Sequence, residues 1–164
     1  MNHKVLDKNC GEEVTNLFTS VFLDSEGEKE GQLIGNLVSE LSSSIENQEI
    51  IFFGTFQKKS RIGSVFFTHL RFKKEILAYM LAPVTVSTAH QEKSVGQSLI
   101  RFGLNELKNR CVTLVTTYGD PVYYSKTGFR VLPENTIAAP LKLSNAFSGD
   151  HPTCVKEFNI PLYW

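Results

Sequence analysis

The sequence predicts one mixed α/β domain spanning residues 1–164, with a largely antiparallel sheet in its first half and a strand–helix–strand unit behind it. Two observations lead to this prediction. Two amphipathic helical patterns open the chain, and strand-like segments rich in β-branched and aromatic residues follow them before the next helical pattern begins. The 164 residues are enough for one domain with a substantial core, and no repeat or linker divides them.

The first two elements are helices. Apolar residues at helical spacing predict one helix over Glu12–Leu23 and a second around Leu33–Leu41, which ends at Ser42–Ser44. The acidic segment Asp24–Gly31 lies between them, and its charges are expected to be solvated.

Three strands come next. Ile50–Phe56 and Ile62–Phe72 flank the short basic turn Lys58–Arg61, which predicts an antiparallel hairpin. Ile76–Val86 predicts a third strand with Pro83 inside it. Because proline cannot donate to a ladder, the strand should either bulge or splay at this point, or end early there. A splayed strand would leave main-chain groups facing a gap, where an extended amide-bearing ligand could pair like an added strand.

The second half alternates helices and strands. We expect Asp120 to be the N-cap of the short helix, with Pro121 at its first position. The predicted elements are a helix over Ser94–Asn109, a strand over Val112–Tyr118, a short helix over Asp120–Lys126, a strand over Gly128–Leu132, mostly loop over Pro133–Pro152 and a last strand over Val155–Pro161.

Composition excludes several classes of function. The 17 basic and 17 acidic residues give no net charge, so neither nucleic acid nor an anionic membrane is an expected partner. The three cysteines are widely spaced and form no CxxC motif, so we expect reduced thiols and no metal. The N-terminus lacks the apolar core of a signal peptide. These features predict a cytoplasmic protein. The sequence leaves its oligomeric state open between a monomer and a homodimer.

The segment Leu81–Gly103 carries the strongest functional signal. A strand runs into a polar loop and then into an amphipathic helix, which places unpaired backbone N–H groups at a helix N-terminus where phosphate can bind. Gly96 would let the backbone approach a pyrophosphate closely, and Lys93 could add a charge. Alternatively, Ser94 is a simple N-cap. The residues of this junction are Gln91, Glu92, Lys93, Ser94, Val95, Gly96 and Gln97, and the amides from Lys93 to Gln97 would be the donors.

Two motifs in this region resemble those of the GNAT family of acetyl-CoA-dependent N-acetyltransferases. Gln91, Ser94 and Gly96 occupy the positions of the family loop Q/R-x-x-G-x-G/A, with serine in place of its first glycine. Tyr123-Tyr124, three further residues and Gly128-Phe129 match a second family signature. The amino-acid sequence of residues 78–132 is especially similar to that of the bacterial YhbS-like branch of this family.

The resemblance implies a fold and a set of roles. It implies a mostly antiparallel sheet that splays between its fourth and fifth strands, with helices on both faces. Val84 and Val86 would pair with the pantetheine arm of the cofactor through their main chain, and the loop from Gln91 to Gln97 would hold the pyrophosphate. Tyr124 matches the family tyrosine that can protonate the departing thiolate. Serine can adopt helical backbone angles, so we expect the Ser94 amide to point into the site.

The implied reaction is transfer of an acetyl group from acetyl-CoA to a primary amine by direct attack in a ternary complex. The acceptor, a small molecule or a protein, is not named by the sequence. His69 and His90 are closest in sequence to the proposed cleft, but neither is assigned as a base. An alternative hypothesis is a non-catalytic CoA-sensing module that regulates a partner protein.

Overall fold

The computed structural model describes residues 1–44, 49–132 and 153–158, and in these residues a seven-stranded sheet carries helices on both faces. Short 3-10 helices at Lys8–Cys10 and Thr88–His90 join some of its elements. The main elements in chain order are β1 (Asn2–Val5), α1 (Gly11–Glu26), α2 (Glu28–Ser43), β2 (Ile50–Gln57), β3 (Ser60–Leu70), β4 (Ala78–Val86), α3 (Val95–Asn109), β5 (Leu114–Tyr118), α4 (Pro121–Ser125), β6 (Arg130–Val131) and β7 (Thr153–Glu157).

The strand order across the sheet is β1-β2-β3-β4-β5-β7-β6. Neighbouring strands are antiparallel except for β4 and β5, which run parallel. A parallel pair needs a crossover connection, and α3 supplies it. The mixed α/β class and the mostly antiparallel sheet are confirmed.

Strand alternation divides the core between the two faces of the sheet. Phe52 of β2 and Phe66 of β3 stack with their ring centroids 4.8 Å apart, and they pack against the α1–α2 pair. Phe53 and Phe67, one residue further along each strand, point to the opposite face and pack under α3. Because both faces are covered, most of β2 and the middle of β3 are buried without alternation.

A glycine brings α3 close to the sheet. A Cβ at Gly103 would lie 2.7 Å from the Phe67 ring and 3.1 Å from the Phe53 ring, closer than carbon atoms pack. The absence of a side chain at this position therefore sets how near the helix lies to β2 and β3.

Pro83 coincides with an irregularity in β4. The pairing of β3 with β4 shifts register between Val65 and Phe67, so two residues of β4, Ala82 and Pro83, lie opposite one residue of β3. β4 nevertheless continues to Val86. The predicted bulge is confirmed, and the alternative that the strand ends early at Pro83 is wrong.

Two local features differ from the sequence-based expectations. The strand β1 at Asn2–Val5 was not predicted, because it is short, mostly exposed and pairs only at the edge of the sheet with β2. The segment Asp24–Gly31 is almost wholly helical: α1 continues to Glu26 and α2 begins at Glu28, with Gly27 at a φ of +99° as the break. Pro133–Pro152 and the predicted strand beyond Phe158 lie outside the described residues.

None of the helices in the described segments combines the length and the apolar character that a membrane crossing requires.

The short helix α4 is capped as predicted. Asp120 accepts a hydrogen bond from the Val122 amide at 2.9 Å, and Pro121 occupies the first helical position.

His3 ties the edge strand β1 to α3. Its Nδ1 lies 2.8 Å from Oγ1 of Thr55, its Nε2 lies 2.8 Å from Oγ of Ser98, and its ring centroid is 5.3 Å from that of Phe102. Burial lowers the pKa of His3, and the charge of the amino terminus adds to this effect. The folded protein therefore favours the neutral imidazole.

We predict that acid weakens the fold through His3. The unfolded chain takes up the proton near the ordinary pKa of 6.5, and the folded protein does so only at lower pH. The stability contributed by neutral His3 is therefore complete above that value and is lost as the pH falls through the lowered pKa. Urea unfolding midpoints measured from about pH 7.5 to about pH 5.5 should fall less for His3→Gln than for the parent. Equal slopes for the parent and His3→Gln would contradict the prediction.

Candidate functional site

A gap opens between the parallel strands β4 and β5. The two strands pair only over Ala78–Met80 and Leu114–Thr116. Just past this ladder the Thr117 hydroxyl donates a hydrogen bond of 2.9 Å to the Leu81 carbonyl. β4 then continues to Val86 without a register partner on β5. The sheet is therefore split on this side of β4, as the resemblance implies.

The main chain at the end of β4 faces this gap. The Ser87 amide donates to the Ile62 carbonyl of β3 at 2.8 Å. Successive residues of a strand point their main-chain groups to alternate sides, so those of Val86 and Val84 point away from β3. In agreement, the Val86 carbonyl accepts a 3.0 Å hydrogen bond from the Gln91 side chain instead of from a strand.

A cavity of about 600 Å³ adjoins the gap. It brings together most of the candidate binding residues, which belong to the end of β4 and the start of α3. Those that line it are Val84, Val86, Gln91, Glu92, Ser94, Val95, Gly96 and Gln97, whereas Lys93 and Tyr124 are not among the lining residues.

The loop before α3 has a strained backbone. Ser94 has a φ of +59° and a ψ of 14°, and Glu92 has a φ of +61°. The expectation that Ser94 takes helical angles is therefore wrong: it adopts the left-handed conformation that glycine tolerates and other residues adopt at a cost. Its side chain makes no capping hydrogen bond, so the interpretation of Ser94 as a simple side-chain N-cap also fails.

His90 holds the turn that precedes this loop. The imidazole Nε2 lies 2.7 Å from Oε1 of Gln57 and must donate to that carbonyl oxygen, while Nδ1 lies 2.7 Å from the Ser87 hydroxyl. His90 thereby links the end of β2 to the turn after β4. His90 also lines the cavity.

The positive charge of the cavity comes from a different lysine than the sequence suggested. The Lys93 ammonium donates to the Ala89 carbonyl at 3.0 Å within its own turn. Lys126, at the end of α4, lines the cavity instead. Its carbonyl accepts a 2.6 Å hydrogen bond from Arg101, which connects α4 to α3.

The two adjacent tyrosines of α4 occupy different environments. Tyr123 lines the cavity. Tyr124 is 8% exposed and packs behind it, with the two rings perpendicular and their centroids 5.1 Å apart. Burial raises the pKa of Tyr124 to about 12, against a smaller opposite effect of the neighbouring Thr117 hydroxyl. Tyr124 thus lies beside the residue at which β4 and β5 separate and remains protonated at neutral pH.

The end of α1 forms a further wall that the sequence did not identify. Phe22 and Glu26 are one helical turn apart and both line the cavity, together with Val21 and Ser25. The acidic run was expected to be solvated, and of its glutamates Glu26 reaches the cavity because α1 extends to this residue. The helical spacing of Phe22 and Glu26 was the available signal, but it required the correct end of α1.

We predict that Ser94→Gly stabilises the protein by about 0.5–1 kcal/mol. Glycine removes the cost of the left-handed conformation, and the extra freedom of the unfolded chain offsets part of this gain. Unfolding free energies from urea titrations measure the change. Ser94→Ala is the matched control, because alanine retains a Cβ and should give no gain. Equal stabilisation by both substitutions would contradict the assignment of strain to this residue.

Comparison with protein-family models finds no match. The sequence is 35% identical over 71 residues to YjhQ, an uncharacterised N-acetyltransferase of Escherichia coli (strain K12). The match spans 42% of this chain and 39% of that relative, so it covers well under half of either protein.

Solved structures match over nearly the whole chain. An aminoglycoside 6'-acetyltransferase type Ii has a TM-score of 0.68 at 16% identity, covering 96% of this chain and 97% of its own. A PaiA N-acetyltransferase from Thermoplasma acidophilum, solved with coenzyme A, has a TM-score of 0.68 at 15% identity, covering 96% and 100%. A GNAT family acetyltransferase from Brucella melitensis, solved with acetyl-CoA, has a TM-score of 0.67 at 21% identity, covering 89% and 97%. The chain therefore has the fold of the GNAT acetyltransferases.

Proposed function

We propose that this protein is a GNAT-family N-acetyltransferase that moves an acetyl group from acetyl-CoA to a primary amine. The observation that carries the proposal is the gap between β4 and β5, which opens directly beside the N-terminus of α3. One continuous cavity thus offers strand edges for an amide-bearing arm and unpaired helix amides for a pyrophosphate.

Acetyl-CoA fits this arrangement in three parts. Its pantetheine arm would pair with the main chain of Val84 and Val86, and the Val86 carbonyl is available once the Gln91 side chain moves aside. Its pyrophosphate would accept hydrogen bonds from the amides of residues 93–97. The thioester would then lie toward Thr117, near Tyr124.

The chemistry is a direct acyl transfer in a ternary complex. The neutral amine attacks the thioester carbonyl carbon, the new C–N bond forms and the C–S bond breaks. The nitrogen loses one proton and the departing sulfur gains one. Tyr124 would supply a hydrogen bond or a proton to that sulfur, since a phenol with a raised pKa stays protonated throughout the neutral range.

The wall formed by α1 supports an amine as the acceptor. The Glu26 carboxylate lines the cavity and makes no ion pair within the described residues. The carbonyl end of α1 adds partial negative charge at the same place. Such a wall favours a basic acceptor.

Finer points of the assignment belong to the same proposal. We place the chain in the YhbS-like branch because of the sequence similarity of residues 78–132. We interpret residues 1–164 as one acetyltransferase domain. We also propose a cytoplasmic location, which the absence of a disulfide between the three cysteines of the described residues supports.

We predict that the purified protein binds acetyl-CoA and acetylates members of a panel of primary amines. Calorimetry measures the binding, and release of free CoA thiol measures the transfer. Tyr124→Phe should lower kcat by about tenfold or more and change KM for acetyl-CoA little, because the hydroxyl acts on the leaving sulfur and not on the bound cofactor. Tyr118→Phe is the control at a nearby tyrosine and should leave kcat unchanged.

The same experiment separates the proposal from the CoA-sensing alternative. Binding of acetyl-CoA without transfer to any amine, together with a stable protein partner in pull-downs, would favour a regulatory module. Failure to bind any acyl-CoA at millimolar concentration would rule out both.

A further inference from the structure

The helix α4 presents a second polar face to the cavity. Tyr123 and Lys126 are three residues apart, and both line the cavity together with Ser94–Gln97 at the start of α3. Side chains three apart on a helix share a face. The start of α3 and the exposed side of α4 therefore lie on two sides of one space.

The Tyr123 hydroxyl lies against the first turn of α3. A Cβ added at Gly96 would overlap that hydroxyl oxygen, so the two residues are in close contact only because position 96 is glycine. The hydroxyl has no hydrogen-bond partner among the described residues. Its perpendicular packing on Tyr124 fixes the direction of the ring.

The chemical state of Tyr123 suits a hydrogen-bond donor. Burial raises the pKa of the phenol above its ordinary value of 10.0, so it carries its proton at neutral pH. The amides of Val95, Gly96 and Gln97 in the adjacent first turn are also donors without intrahelical partners. Donors converge here from both helices, which is the arrangement an anion requires.

Lys126 adds the charge. Among the described lining residues it is the one lysine or arginine, and the acidic groups that face the same cavity are Glu26 and Glu92. The hydrogen bond from Arg101 to its carbonyl and the contact of its amide with the Tyr124 carbonyl fix its backbone. Its ammonium forms no ion pair within the described residues.

We propose that Tyr123 and Lys126 form the second wall of the phosphate-binding site, opposite the amides of α3. The Tyr123 hydroxyl donates a hydrogen bond to a pyrophosphate oxygen, and the Lys126 ammonium neutralises part of the pyrophosphate charge. This assignment rests on the proposed function, in which the bound phosphate is that of a CoA thioester. It gives to Lys126 the role that the sequence suggested for Lys93.

The test measures CoA binding by calorimetry for the parent, Tyr123→Phe and Lys126→Met. Each substitution should raise Kd about tenfold, because each removes an interaction with a charged phosphate. Comparing about 50 mM with about 300 mM NaCl distinguishes the two residues. The loss caused by Lys126→Met should shrink at high salt, whereas that caused by Tyr123→Phe should persist.

Matched variants control for indirect effects. Lys126→Arg retains the charge and should bind CoA within about threefold of the parent. Lys108→Met removes a charge at the far end of α3, away from the cavity, and should leave Kd unchanged. Lys126 is exposed, so its variants should fold even if the Tyr123 variant does not.

The outcomes separate this inference from the function beneath it. If the parent protein binds no CoA, the proposed function fails. If the parent binds CoA and both Tyr123→Phe and Lys126→Met bind it equally well, the second wall is wrong and the proposed function stands. If Lys93→Met loses affinity for CoA while Lys126→Met keeps it, the charge that neutralises the phosphate comes from Lys93 in the loop. That result would overturn the assignment of Lys126.

Discussion

The separation of β4 from β5 is the constraint on which the site depends. A parallel ladder that continued to the end of β4 would consume the main-chain groups of Val84 and Val86 and would close the cavity. Instead, pairing stops at Met80 and Thr116, and the Thr117 hydroxyl takes over as the donor to the Leu81 carbonyl. A side-chain bond at the branch point satisfies a buried carbonyl that would otherwise lack a partner. The strands can therefore part without leaving this polar group unpaired.

The second requirement is that α3 begins where β4 ends. Gly103 allows the helix to lie close to Phe53 and Phe67, and the 3-10 turn held by His90 returns the chain from β4 to the helix start. The short connection has a cost, which is the left-handed backbone at Ser94. Strain of this kind persists where the surrounding structure fixes the conformation, and such places are often binding sites. The position of the α3 N-terminus, the strained backbone of Ser94 and the unpaired amides of the first helical turn are therefore parts of one connection between β4 and α3.

The cavity has walls of different electrostatic character. The start of α3 and Lys126 present hydrogen-bond donors and one positive charge beside the Glu92 carboxylate of the preceding loop, and the end of α1 presents the Glu26 carboxylate and helix carbonyls. One wall suits a phosphate and the other suits a basic group. An acyl donor that carries phosphate and an amine acceptor need such a division, because the two molecules have to bind without competing for the same protein groups.

Sequence patterns were enough to predict the order of elements from α1 onward, the bulge at Pro83, the cap at Asp120 and the polar loop before α3, because each depends on local backbone chemistry. β1 could not be predicted, since four mostly exposed residues become a strand only when β2 offers an edge. In contrast, the folded structure was needed to show that Tyr123 lines the cavity while Tyr124 packs behind it. The folded structure also places Lys126 and Glu26, and not Lys93, against the cavity. Those choices depend on which face each helix turns toward its neighbours, and packing across the sheet sets that direction.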